Sequence, residues 1–235
     1  MQAVSLKVGT VYNARWVNQM YNQMKLVNPD VEFICLTDDP EGIKREIRIE
    51  PITDDFPDRK WWNKAKLFRP GLFDQPTLYL DLDCFVHQKF KRTAYSQSKE
   101  VESCPWGVTP FFNNAIKDKL NILKTYWFSD DMAMKIHQCN VNSSIMIIDE
   151  NNGEPMWKAF IDNQELLYKS FYGLDPWLYR RHSNNLNFFK SKLAYSYKHG
   201  ALFPDDIKSN TFRQLPICIF DDVDKDIIMN TFWHH

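Results

Sequence analysis

Apolar positions in the first ninety residues change period several times, and each change marks an element. Val4 to Val8 reads as a strand. Asn13 then caps a helix in which Trp16, Val17, Met20, Tyr21, Met24 and Val27 recur at helical spacing. Asn28-Pro29-Asp30 turns the chain into a second apolar strand, Val31 to Leu36. A polar loop at Asp38-Asp39-Pro40-Glu41-Gly42 leads to a short strand around Ile47 to Ile52. The pattern predicts a helix from Trp61 to Phe68, stopped at Pro70, and then a buried strand over Leu78-Tyr79-Leu80-Asp81-Leu82-Asp83-Cys84-Phe85-Val86. Strands alternating with helices imply an α/β fold with a largely parallel sheet.

The second half is less regular. Residues 88–140 hold no clean period, although Ile116 to Tyr126 suits a helix. Val141 to Ile148 reads as a strand carrying Asn142, Ser143 and Ser144, and Pro155 to Tyr168 as a helix with Trp157, Phe160 and Ile161 on one face. Ile217 to Phe220 is a last short strand running into Asp221-Asp222. No internal repeat, low-complexity tract or linker interrupts the chain, so one domain is expected over residues 1–235.

Composition narrows the function classes. With 44% hydrophobic and 15% aromatic residues in 235, a sizeable core is available, with rings to spare for a ligand groove. The 29 basic and 30 acidic residues leave a net charge of -1, and no basic stripe supports nucleic-acid binding. The five cysteines are odd in number and form no CxxC pair; Cys35, Cys84 and Cys218 lie in apolar runs and read as buried thiols of a reducing compartment. The N-terminal residues lack the apolar stretch of a signal peptide, and no run approaches the roughly 20 apolar residues of a membrane span. A soluble, cytoplasmic protein is expected.

Candidate chemistry centres on Asp81 and Asp83. Residues two apart in an extended strand point to one side, and paired hard oxygen ligands suit Mg²⁺ or Mn²⁺ that also holds a phosphate. Asp222-x-Asp224 and Asp224-x-Asp226 repeat the pattern in what reads as a solvated acidic turn. Ligands of open α/β sheets bind beyond the carboxyl ends of the strands, where Thr10, Tyr12, Thr37 and Asp38 also fall. Residues 1–86 are thus expected to form a nucleotide-binding half, with 87–235 as the second half of the domain. Trp61 and Trp62 read as core or groove wall, and Lys66 as a solvated helix lysine.

Five ordered stretches, VGTVYNARWVNQMYN (8–22), FICLTDDPEGI (33–43), WWNKAKLF (61–68), LYLDLDCFV (78–86) and VNSSIMIID (141–149), resemble the metal-dependent glycosyltransferases of the GT-A fold. The resemblance is to small bacterial and phage members distantly similar to glycogenin and lipopolysaccharide glycosyltransferases. It implies a Rossmann-like nucleotide-diphospho-sugar transferase, with a mostly parallel mixed sheet flanked by helices. It also implies a nucleotide-sugar donor, usually a UDP-sugar, a Mn²⁺ or Mg²⁺ ion, and a glycan or other hydroxyl acceptor.

By the same resemblance, Thr10 and Tyr12 contact the base, and Asp38 belongs to the second nucleotide loop. Lys64 approaches the donor, and Asp81-Leu82-Asp83 is the metal motif. Asn142, Ser143 and Ser144 line the donor-sugar pocket, with Asn142 among the catalytic candidates. Lys225 matches the basic residue that meets the diphosphate.

Three places depart from the family pattern. Its Gly-Asp-Gln segment falls on Gly173-Leu174-Asp175, making Asp175 the substitute acid. Its Phe-His-Gly falls on Phe220-Asp221-Asp222, making Asp221 the candidate third metal ligand. Its Ser-Tyr-Lys reads Ser209-Asn210-Thr211. These departures keep open a GT-A-fold protein that binds nucleotide or glycan without turnover. A haloacid-dehalogenase-like phosphatase, with Asp81 as nucleophile and Asp83 as acid/base, is the other alternative.

Overall fold

The computed structural model describes residues 2–89, 101–104, 141–148, 152–171, 173–182, 185–188, 193–197, 200–201, 214–220 and 223–231. The first half follows the expected alternation. Strand β1 (Gln2–Lys7) leads to α1 (Ala14–Val27), whose N-cap Asn13 accepts a hydrogen bond from the Arg15 N–H. Strands β2 (Glu32–Thr37) and β3 (Arg48–Pro51) follow, then a 3₁₀ helix (Lys60–Phe68) and β4 (Thr77–Leu80). Beyond β4 come β5 (Cys84–Val86), β6 (Val101–Cys104), β7 (Asn142–Ile148), α2 (Glu154–Ser170) and α3 (Leu174–His182). Short strands β8 (Leu186–Phe188), β9 (Ala194–Ser196), β10 (Gly200–Ala201) and β11 (Ile217–Ile219) precede α4 (Lys225–Thr231).

A seven-stranded sheet has the order β3-β2-β1-β4-β7-β6-β8. Strands β3, β2, β1 and β4 run parallel, and β7 returns antiparallel between β4 and β6. A four-stranded sheet, β10-β9-β11-β5, pairs β5 antiparallel to β11. Alternating side chains send the large sheet's residues to two opposite cores. Ala3, Phe33, Cys35, Leu78, Leu80, Ile145 and Ile147 meet α1 and the small sheet, while Val4, Ile34, Leu36, Tyr79, Met146 and Ile148 meet the 3₁₀ helix, α2 and α3.

Several expectations change. The run from Leu78 to Val86 is not one strand: the chain leaves the large sheet after Leu80, turns through Asp81–Asp83, and enters the small sheet at Cys84. Leu82 buries its side chain in the core at this crossing, which keeps the hydrophobic pattern continuous across the break. The segment at 60–68 is a 3₁₀ helix, and the helix α2 carries a non-helical residue at Asn163. Helix α3 and strands β6, β8, β9 and β10 had no counterpart in the periodicity. The expected helix at Ile116 to Tyr126 lies outside the described residues. Cys35, Cys84 and Cys218 are buried thiols, as their apolar settings imply. Among the described residues no helix is long and apolar enough to cross a membrane.

Candidate active site

The site is built around the turn that joins the two sheets. The Asp81 N–H donates to Ser144 O of β7 at 2.9 Å, the Cys84 N–H closes the turn on Asp81 O at 3.0 Å, and the Phe220 N–H donates to Asp83 O at 3.1 Å. Backbone hydrogen bonds to both sheets therefore fix where the two carboxylates emerge, at the carboxyl end of β4. The i,i+2 geometry of an extended strand does not apply here. A tight turn with Leu82 as its buried plug presents the carboxylates instead, and the charges of both reach Tyr12 and Lys64. Leu82 itself is 1% exposed, so its side chain belongs to the core and only its backbone is at the site.

Three elements deliver polar groups to this turn. From the 3₁₀ helix, the Lys64 ammonium donates to Asp81 Oδ2 at 2.6 Å and to Ser143 Oγ at 3.4 Å. From β4, the Tyr79 hydroxyl donates to Asp81 Oδ1. From the loop after β1, the Tyr12 hydroxyl donates to Asp83 Oδ2 at 3.1 Å. The Ser143 N–H donates to Asp175 Oδ1 at 3.3 Å, which brings the first turn of α3 into the same cluster.

Electrostatics follow from this convergence. Burial alone lowers the Lys64 pKa, but Asp81, Asp175 and Asp83 outweigh it and hold the ammonium above its ordinary value. Burial raises the Asp175 carboxyl above the usual carboxylate range, and nearby Lys64 only partly offsets this. Burial, helped by the charges of Asp83 and Asp81, raises the Tyr12 phenol. Burial and then Asp81 do the same to Tyr79. A buried ammonium among three carboxylates is a charge-compensated cluster, in which removing one member leaves an uncompensated buried charge.

The other expected site residues take varied places. Ser143 is buried beside Lys64, and Ser144 contributes its backbone carbonyl to the Asp81 N–H. Asn142 is also buried, its amide oxygen accepting from the Ser144 N–H, so it supports the strand end behind the cluster. Thr10 and Asp38 are exposed at the carboxyl ends of β1 and β2. The Asp38 carboxylate accepts from the Gly9 N–H at 2.9 Å and so ties the two loops together. Gly9 has φ +65, a backbone conformation that favours glycine, and the flexible end of the Lys60 side chain lies against it. Lys225, at the start of α4, holds its ammonium 5.0 Å from the centre of the Tyr12 ring. Asp221 lies outside the described residues.

Leu174 is 2% exposed in the core, whereas Asp175 enters the site. Two residues were not singled out from sequence. Tyr79 looked like one apolar position among several in its strand. Lys60 forms an ion pair with Asp54 at 3.0 Å beside Gly9. Lys66 is largely buried, donating to Thr53 O at 2.6 Å, and is no solvated helix lysine.

For a divalent cation the donor set is suitable in kind: two hard carboxylates on one turn. No third His, Cys, Asp or Glu joins them among the described residues.

A mixed sheet of this order, with paired carboxylates at the carboxyl end of an inner strand, defines the GT-A class of α/β fold. Comparison with solved structures bears this out over nearly the whole chain. The galactosyltransferase LgtC, in complex with donor and acceptor sugar analogues, matches 94% of this chain and 87% of its own at 12% identity, with a TM-score of 0.59. The glycosyltransferase GlyE of Streptococcus pneumoniae TIGR4 matches 96% of this chain at 12% identity and a TM-score of 0.55, over 56% of its own length. Mouse xyloside xylosyltransferase 1 matches 94% of this chain and 97% of its own at 11% identity, with a TM-score of 0.51. Neither a protein-family model nor a curated protein matches the chain. The chain has the GT-A fold.

Proposed function

We propose that this chain is a metal-dependent glycosyltransferase that moves a hexose from a nucleotide-sugar, a UDP-sugar in the first instance, to an acceptor hydroxyl of a glycan. The observation that carries the reading is the cluster at the sheet-crossing turn. Asp81, Asp83, Lys64, Ser143 and Asp175 come from four separate parts of the chain and meet at the carboxyl end of β4. The GT-A fold of the neighbours favours this reading over the phosphatase. The entry of Asp175 into the cluster favours turnover over binding alone.

Asp81 and Asp83 would hold Mn²⁺ or Mg²⁺, which supplies Lewis-acid neutralisation of the diphosphate. Asp221 remains the proposed third ligand. The Lys64 ammonium is the point charge nearest the carboxylates and offers itself to donor oxygens. The Ser143 hydroxyl and the Asp175 carboxylate are placed to hydrogen-bond sugar hydroxyls, with Asn142 and Ser144 fixing the strand end beneath them. The Tyr12 ring and Thr10 face the base, Asp38 holds the loop that carries them, and Lys225 meets the diphosphate. Lys225 leaves the Tyr12 ring when a base stacks there.

A thermal-shift series with UDP, Mn²⁺ and both together tests the reading. A ligand that binds only the folded state adds about 2.7 kcal/mol at a hundredfold excess over its dissociation constant. Stabilisation is expected only with UDP and Mn²⁺ together. In Asp83→Asn that stabilisation disappears while the fold persists, and UDP affinity in Mn²⁺ drops at least about a hundredfold, as fits loss of a metal ligand. A folded Asp83→Asn protein that binds UDP and Mn²⁺ as well as the wild type would sink the assignment. Release of UDP from UDP-hexoses separates turnover from binding alone, and release of phosphate from p-nitrophenyl phosphate would point to the phosphatase.

A further inference from the structure

Adjacent tryptophans in the 3₁₀ helix have opposite fates. Trp62 is 0% exposed and packs among aromatic rings, whereas Trp61 is 39% exposed. In a 3₁₀ helix residues three apart eclipse one another, so Trp61, Lys64 and Leu67 form one row. That row passes from solvent at Trp61, through the half-buried Lys64 at the carboxylate turn, to the fully buried Leu67. Trp61 is therefore the outermost member of the row that reaches the site.

The ring is also held in place. A Cβ at Gly173 would lie 2.8 Å from the Trp61 indole nitrogen and 3.1 Å from its Cδ1, so the indole edge rests directly on the Gly173 backbone. Two residues later Asp175 enters the polar cluster. The exposed indole thus rests on the backbone two residues before Asp175 and stands one 3₁₀ turn before Lys64. An indole offers one broad apolar face and a polar N–H edge, which is why tryptophan is favoured where a binding surface is apolar on one side and wet on the other.

We propose that Trp61 is the platform on which the acceptor's pyranose ring stacks, an inference that rests on the glycosyltransferase reading and extends it to the acceptor. Pyranose rings present apolar C–H faces with hydroxyls around the rim. The negative face of an indole attracts such C–H groups and shields them from water. The donor's sugar and diphosphate belong to the charged cluster further in. A neutral ring stacked on Trp61 lies outside that cluster, with rim hydroxyls free to turn towards it.

The test uses the full chain labelled with 5-fluorotryptophan, the Trp61 fluorine resonance being assigned by its loss in Trp61→Phe. Methyl β-D-galactopyranoside and methyl α-D-glucopyranoside are titrated separately, with UDP and Mg²⁺ present and again without nucleotide. At least one glycoside shifts the Trp61 resonance. Saturation-transfer measurements show its affinity falling about tenfold in Trp61→Ala and less than about threefold in Trp61→Phe, with UDP affinity unchanged in both. If neither glycoside moves the Trp61 resonance under either condition, the proposal is overturned. It is equally overturned if Trp61→Ala weakens UDP and glycoside alike, because that is the signature of a structural role. Failure of the glycosyltransferase reading looks different. UDP then gives no stabilisation of the wild type, while a glycoside shift at Trp61 without nucleotide still supports the platform.

Discussion

The two faces of the large sheet are packed with different chemistry. On one, Ala3, Cys35, Leu78 and Leu80 meet Val17, Met20, Met24 and Val27 of α1 and the aliphatic strands of the small sheet. On the other, Val4, Ile34, Leu36 and Tyr79 lie beneath a tier of large rings. Trp62 lies 6.3 Å from Phe160 and 5.9 Å from Trp177, and Phe160 lies 6.2 Å from Trp177. The aromatic face carries most of the site. Lys64 follows Trp62 by two residues, and Asp175 precedes Trp177 by two, so both polar groups are mounted on elements anchored by the same three rings. Close-packed rings have few alternative arrangements, and that rigidity passes to the side chains beside them. Among the described residues, the aliphatic face supplies Tyr12, Lys225 and the backbone hydrogen bond of Phe220.

Trp62→Ala tests this difference with the largest expected effect. Deleting a fully buried tryptophan typically costs about 3–5 kcal/mol, which denaturant unfolding would measure. The comparison adds a functional cost. At a temperature where the variant is still folded, affinity for UDP with Mn²⁺ falls at least about tenfold, because the 3₁₀ helix loses the anchor that sets Lys64. A variant that is destabilised yet binds UDP normally would break the link between the ring tier and the site.

The counterpart on the aliphatic face is Met24→Ala. Met24 is 0% exposed in α1, and its removal is expected to cost about 2–5 kcal/mol. UDP affinity of the folded protein stays within about twofold, since the cavity lies in the core on the far side of the sheet from Lys64 and Asp175. Isothermal titration of both variants under one condition gives the contrast. Equal losses of affinity in the two would mean that the site depends on global stability and not on the aromatic tier.

The parallel half of the fold was legible because each of its elements has a clean period. Val4 to Val8, the helix after Asn13 and Val31 to Leu36 all fall within a residue or two of the observed bounds. The carboxylate turn was not legible. Leu82 is as apolar as its neighbours, and a buried plug in a turn has the same hydrophobicity as a strand residue. Over nine residues a 3₁₀ helix and an α-helix give similar patterns, so the exposed Trp61 and the buried Trp62 were indistinguishable. Asp175 carried a missed signal: an acidic residue followed by Pro176, just after Gly173, is a helix-start pattern. Contacts such as Lys64 to Ser143 span 79 residues and leave no local trace.

Histidines on the two sides allow a last and smaller test. His182 closes the aromatic tier, 7% exposed and edge-on to Trp177 at 4.7 Å. His87 belongs to the small-sheet side, stacked with Phe85 and less deeply buried. Burial lowers the pKa of both below the ordinary 6.5, with hydrogen bonding offsetting it only in part. Below pH 6.5 the unfolded chain binds these protons first, so stability declines as pH falls from 6.5 towards the folded values, and it is fully retained above 6.5. His182→Gln should flatten the decline in melting temperature between pH 6.5 and about pH 5 more than His87→Gln does, because the ring tier excludes water more completely. A larger effect from His87 would mean that the small sheet, and not the aromatic tier, is the drier of the two surroundings, and the rigidity argued for Lys64 and Asp175 would lose its physical basis.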